Sequence, residues 1–74
     1  MIYATLMRDG KNVGIYDTKS GSLLSITYVP EKLKSVQVVS QMEIVAYCEK
    51  AVYVLRRNSP TSNGFSIYMR RPIM

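Results

Sequence analysis

Histidine is missing altogether, and only five carboxylates are spread along the chain: Asp9, Asp17, Glu31, Glu43 and Glu49. Acid–base catalysis and metal coordination have little to work with, so no catalytic residue, metal site, cofactor or small-molecule substrate is expected. The single cysteine, Cys48, allows no internal disulfide. Apolar runs fall far short of the ~20 residues that a bilayer-spanning helix needs. Met1-Ile2-Tyr3-Ala4 is not a basic segment followed by an apolar one. No membrane association is expected, and the cytoplasm is the expected compartment. No repeat, low-complexity tract or linker divides the chain, which reads as one small domain, 1–74.

What is present is apolar and basic. A hydrophobic share of 47% excludes a disordered tail, and ten lysines and arginines give a net charge of +5, which favours an anionic partner.

The strongest single-element signal lies between Ser40 and Pro60. Ser40-Gln41-Met42-Glu43 has the form of a capping box. Arg56 and Arg57 suit the negative end of a helix dipole, Asn58 suits a left-handed cap, and Pro60 forbids continuation. On a helical wheel Ile44, Val45, Cys48, Ala51, Val52 and Leu55 share one arc. These signals predict an amphipathic helix over about 41–57. The competing reading is a strand pair turning at Glu49-Lys50, which the β-branched residues suit. Glu-Lys is a poor hairpin turn, and the caps decide for the helix.

Upstream, Ile2–Arg8 alternates as a strand, Asp9-Gly10 is the dipeptide a two-residue type I′ turn prefers, and Asn12–Asp17 returns. That turn sets Leu6 opposite Val13, Ala4 opposite Ile15 and Tyr3 opposite Tyr16. A second turn centred on Ser20-Gly21 sets Ile15 opposite Ile26 and Val13 opposite Tyr28. Leu6, Ala4, Val13, Ile15, Leu24 and Ile26 then share a core face. Tyr3, Thr5, Met7, Gly14, Tyr16, Leu23, Ser25 and Thr27 share the other. Pro30–Lys34 reads as a connector, Val36–Val39 as a short strand, Asn58–Gly64 as an exposed loop, and Phe65–Arg70 as a last strand with Phe65, Ile67 and Met69 inward.

The predicted fold is therefore α+β: a three-stranded antiparallel meander with a short fourth strand and a C-terminal strand, and one helix packed on one face. The other sheet face would be left bare, carrying Tyr3, Met7, Tyr16, Tyr68 and Arg70. A bare apolar face points to a partner. The expected role is a non-catalytic accessory or regulatory module that contacts protein, including a second copy in a two-fold dimer that supplies the missing layer. The alternative is single-stranded nucleic acid, its bases on the tyrosines and its phosphates on a basic rim of Arg8, Lys11, Lys19, Arg56, Arg57 and Arg71. Arg56-Arg57 and Arg70-Arg71 are further expected either to meet as a phosphate patch or simply to serve as a helix cap and a solvated terminus. A closed barrel with no face left over is the remaining reading. Cys48, on the buried arc, is expected to act as a small hydrophobe.

Overall fold

The computed structural model describes residues 1–73, and those residues contain no helix. Seven strands follow one another: β1 (Ile2–Leu6), β2 (Asn12–Asp17), β3 (Leu23–Tyr28), β4 (Leu33–Ser40), β5 (Glu43–Cys48), β6 (Ala51–Arg57) and β7 (Phe65–Pro72). They form two antiparallel sheets, ordered β1-β2-β3 and β4-β5-β6-β7. The sheets pack face to face, with β1 lying alongside β4 and β3 alongside β7. The protein is all-β, which overturns the α+β expectation.

The predicted helix over 41–57 is a β-hairpin, β5 and β6, turning at Glu49-Lys50. Inward residues of such a hairpin are Ile44, Ala46 and Cys48 on one strand and Ala51, Tyr53 and Leu55 on the other, all buried. Four of them, 44, 48, 51 and 55, are also spaced like one face of a helix, because a two-residue turn reverses the strand parity. The outer residues Val45, Tyr47, Val52 and Val54 are apolar too and half-buried. No polar positions mark the period of two, so the helical spacing stood out.

The supposed caps are turn chemistry. Ser40 Oγ accepts the Met42 amide at 3.1 Å, closing the Gln41-Met42 turn between β4 and β5. Glu43 pairs across the hairpin with Arg56, Nε to Oε1 at 3.3 Å. Arg57 donates from Nε to Gln41 O and from Nη1 to Ser62 O, each at 2.8 Å, and so clamps the loop 58–64.

In the first hairpin the predicted pairs hold: Tyr3 opposite Tyr16, Ala4 opposite Ile15, Leu6 opposite Val13. The loop differs. Met7 N donates to Asn12 O at 2.9 Å, so four residues, Arg8–Lys11, connect the strands. Within this loop only Gly10 takes a positive φ, +73°. Asp9 Oδ1 accepts the amides of Lys11 and Asn12 at 2.9 and 3.1 Å. A four-residue loop has the same centre as the two-residue one, which preserves the register.

The next turn closes one residue earlier than predicted. Asp17 N donates to Ser22 O at 3.0 Å, and Asp17 Oδ2 accepts from the Ser20 amide and hydroxyl. A bulge then leaves Leu24 as the extra residue between Leu23 and Ser25. Gly14 consequently faces Ile26, and Val13 faces Thr27. Thr27 turns inward, 6% exposed, and its hydroxyl donates to Phe65 O of the opposite sheet at 2.9 Å. Ile26, expected in the core, is 50% exposed.

The chain crosses between sheets at 29–33, held by Val29 N to Lys11 O at 2.8 Å and Leu33 N to Gly10 O at 2.7 Å. Ile2, Val13, Ile15 and Val29 meet Leu33, Ile44, Leu55 and Phe65 in one core. The strand expected over 36–39 extends to eight residues, 33–40. A bulge at Tyr68 splits β7: Ile67 pairs with Leu55, but Met69 pairs with Val54 and so shifts to the outer face, leaving Arg70 opposite Tyr53. No helix among the described residues is long and apolar enough to cross a membrane.

Candidate functional site

The first sheet turns its inner side to the core and leaves its outer side uncovered. That outer side carries Tyr3, Thr5 and Met7 of the first hairpin arm, Asn12, Gly14 and Tyr16 of β2, and Leu23, Ile26 and Tyr28 of β3. Tyr3, Leu23, Ile26 and Tyr28 are all exposed. The rings of Tyr3 and Tyr16 stack with centroids 5.1 Å apart and planes 10° from parallel. Tyr16 reclines over Gly14: a Cβ there would lie 3.0 Å from Tyr16 Cε1 and 3.5 Å from Met7 Cγ. A side chain at position 14 would lift the tyrosine off the sheet. Toward the hairpin tip, Met7, Arg8, Asp9, Asn12 and Ile26 line a shallow, open groove.

Of the predicted contact residues, Tyr3, Met7 and Tyr16 are brought together here. Tyr68 and Arg70 are not, since both lie on β7 of the second sheet. The Arg56 guanidinium sits 3.7 Å from the centre of the Tyr68 ring. Arg70 Nε donates to Glu31 Oε2 at 2.6 Å and lies 3.2 Å from the Tyr53 hydroxyl, which itself donates to Glu31. The expectation of one face holding all five residues is corrected by the division into two sheets.

The basic rim divides in the same way. Arg8 and Lys11 flank the first hairpin loop and Lys19 sits in the second, whereas Arg56 and Arg57 are engaged on β6. Arg71 pairs with Val52 while Arg56 pairs with Ser66. About four residues of β6 therefore separate the two arginine pairs, roughly 13 Å at ~3.3 Å per residue. They do not form one patch.

The first sheet sets Arg8, Lys11 and Lys19 against the carboxylates of Asp9 and Asp17. The Lys11 amide, and then the Asn12 side chain, hold the Asp9 carboxyl below the usual carboxylate range. The Ser20 amide and hydroxyl do the same for Asp17. Both carboxylates are spent on their own loops. No ion pair joins Arg8, Lys11 or Lys19 to a carboxylate among the described residues.

Residues that sequence reasoning misses are Ile26, expected in the core, and Tyr28, expected opposite Val13. Only the bulge at Leu24 turns them out, and nothing local announces it. The Glu31–Tyr53–Arg70 cluster was also missed, its members being brought together by the crossover and the Tyr68 bulge. Arg70, then Tyr53, lowers the Glu31 pKa. Burial, then the bond to Glu31, raises that of Tyr53. Cys48 lies beside this cluster, 3.8 Å from Glu31 O, with its thiol pKa raised chiefly by burial. Such a thiol is a poor nucleophile. No group of His, Cys, Asp or Glu side chains suited to a metal occurs among the described residues.

No protein-family model, curated protein or solved structure matches the chain.

Proposed function

We propose that this chain is a binding module that docks a protein partner through the outer face of its first sheet. The observation that carries the reading is the patch of exposed Tyr3, Leu23, Ile26 and Tyr28 around Met7 and Tyr16, on a sheet whose other face already closes the core. Folding does not need these side chains outside. Contiguous apolar surface edged by charge is characteristic of contact surfaces, where tyrosine, methionine and arginine are enriched.

A second copy is an alternative occupant of this face, which the second sheet, packed on the opposite side, leaves bare. Unpaired Arg8, Lys11 and Lys19 at both ends of the face would meet like charge across a two-fold contact. They favour a heteromeric partner with acidic groups. The cytoplasm is part of this proposal: with a single, buried cysteine the chain makes no disulfide within itself.

Light scattering should give a monomer at tens of micromolar. In the native cell, crosslinking should capture a protein whose recovery falls with Ile26→Thr or Tyr28→Thr and is unchanged by Val45→Thr on the second sheet. Recovery unaffected by the first two variants would refute the proposal. A dimer in solution that these variants dissociate would return the face to self-association.

A further inference from the structure

We infer that the groove at the first hairpin tip reads a carboxylate placed next to a bulky apolar side chain of the partner, with Arg8 as the reader. This rests on the docking role proposed above and specifies the chemistry recognised. Met7 and Ile26 give the groove apolar walls, and Arg8 is the cation that lines it. Asp9 lines the same groove but is already committed. Its oxygens accept from the amides of Lys11 and Asn12 and from Asn12 Nδ2. Arg8 therefore has no carboxylate of its own chain to satisfy it, among the described residues. A guanidinium presents a planar fork of donors that matches a carboxylate in two parallel bonds. Once the partner's apolar side chain covers Met7 and Ile26 and displaces water from the groove, such a pair is stronger than one at a fully wet surface.

A protein carboxylate suits this face better than a phosphate backbone. Phosphates recur at every nucleotide and call for a track of cations, whereas here the cations sit at the two ends of the face. Arg8 and Lys11 flank one loop of β2 and Lys19 the other, about 20 Å apart at ~3.3 Å per residue. Between them the face is uncharged, and Tyr3 and Tyr16 already stack on each other. Aliphatic Met7 and Ile26 also fit a side chain better than a flat base.

The test is selection of a random peptide library displayed on phage against the full chain, followed by fluorescence polarisation of an enriched peptide. Enriched sequences should carry Asp or Glu adjacent to Leu, Ile, Val or Phe. Arg8→Glu should weaken binding by about tenfold. Changing the peptide's acidic residue to lysine should restore binding to Arg8→Glu, a reversal that a merely structural role for Arg8 does not produce. Ile26→Thr should weaken binding whatever the peptide's charge. Enrichment without acidic residues, or undiminished binding by Arg8→Glu, overturns the carboxylate reading. If Ile26→Thr still weakens binding in that case, the docking face stands alone. If it does not, or if selection enriches nothing, both readings fall. Binding of a labelled thymidine oligonucleotide that Arg8→Glu abolishes at low salt would assign Arg8 to phosphate and also overturn the proposal.

Discussion

The register of β3 decides which of its residues reach the uncovered face of the first sheet, and it can be tested by comparing two neighbours. Thr27 is buried and bonded across the sheets to Phe65 O, while Ile26 is half exposed. Thr27→Ala removes a hydrogen bond worth about 1 kcal/mol net and leaves a buried carbonyl without that donor, for roughly 1 kcal/mol more. It also deletes a buried methyl group, about 0.8 kcal/mol. The expected loss is about 2–3 kcal/mol, a large part of the ~4–11 kcal/mol typical of a domain this size. With a urea m-value of about 1 kcal/mol/M, the midpoint falls by roughly 2–3 M. Ile26→Thr should cost about 0.5 kcal/mol or less. Thr27→Val keeps the volume and removes only the hydroxyl, so both hydrogen-bond contributions are lost and the expected cost is about 2 kcal/mol. Urea titrations followed by tyrosine fluorescence would measure all three. If Ile26→Thr costs more than Thr27→Ala, β3 is paired one residue over, Ile26 belongs to the core, and the exposed patch that supports docking is broken. The same Ile26→Thr variant, stable and weakened in binding, separates folding from function.

The remaining predictions concern the turns, the polar cluster and one hydroxyl. Gly21→Ala should destabilise by about 1–2 kcal/mol through its backbone alone, since φ is +73° and nothing lies within 4 Å of the added Cβ; a neutral result in the urea titration would contradict the left-handed turn. Glu31 titrates lower when folded, so its stabilisation is present above its unfolded value of 4.5 and is lost as pH falls through the lower folded value. Tyr53 titrates higher when folded, so its contribution is intact below 10.0 and is lost as pH rises through the raised value. Thermal melts across the pH range should show both limbs, with Tyr53→Phe flattening the alkaline one and Glu31→Gln reducing the acid one; unchanged limbs would disconnect the cluster from stability. Ser25 Oγ is buried without a hydrogen-bond partner, so Ser25→Ala should be neutral or stabilising by up to about 1 kcal/mol, and a clear loss of stability in urea would show that the hydroxyl is satisfied.

Several parts of the molecule were legible because their causes are local. Asp9-Gly10 set the first hairpin's pairing, and the centre of the loop mattered more than its type. The turn-forming run 58–64 is a loop between strands, and Tyr3, Met7 and Tyr16 share an uncovered face as their alternation predicts. Cys48 is buried, although on a strand and not a helix. Only the tertiary structure decided the rest. Ser40, Glu43, Arg56 and Arg57 satisfy a helix's ends and a hairpin's turns equally well, and Ile44, Cys48, Ala51 and Leu55 fit either period. What selects strands is pairing with β4 and β7 and closure over the first sheet, contacts distant in sequence. Bulges at Leu24 and Tyr68 then move whole runs of side chains from one face to the other. They bring Ile26 and Tyr28 out to the uncovered face and set Arg70 opposite Tyr53, within reach of Glu31. A one-residue slip has no signature in composition or spacing, because its energy is settled by what each face finally packs against.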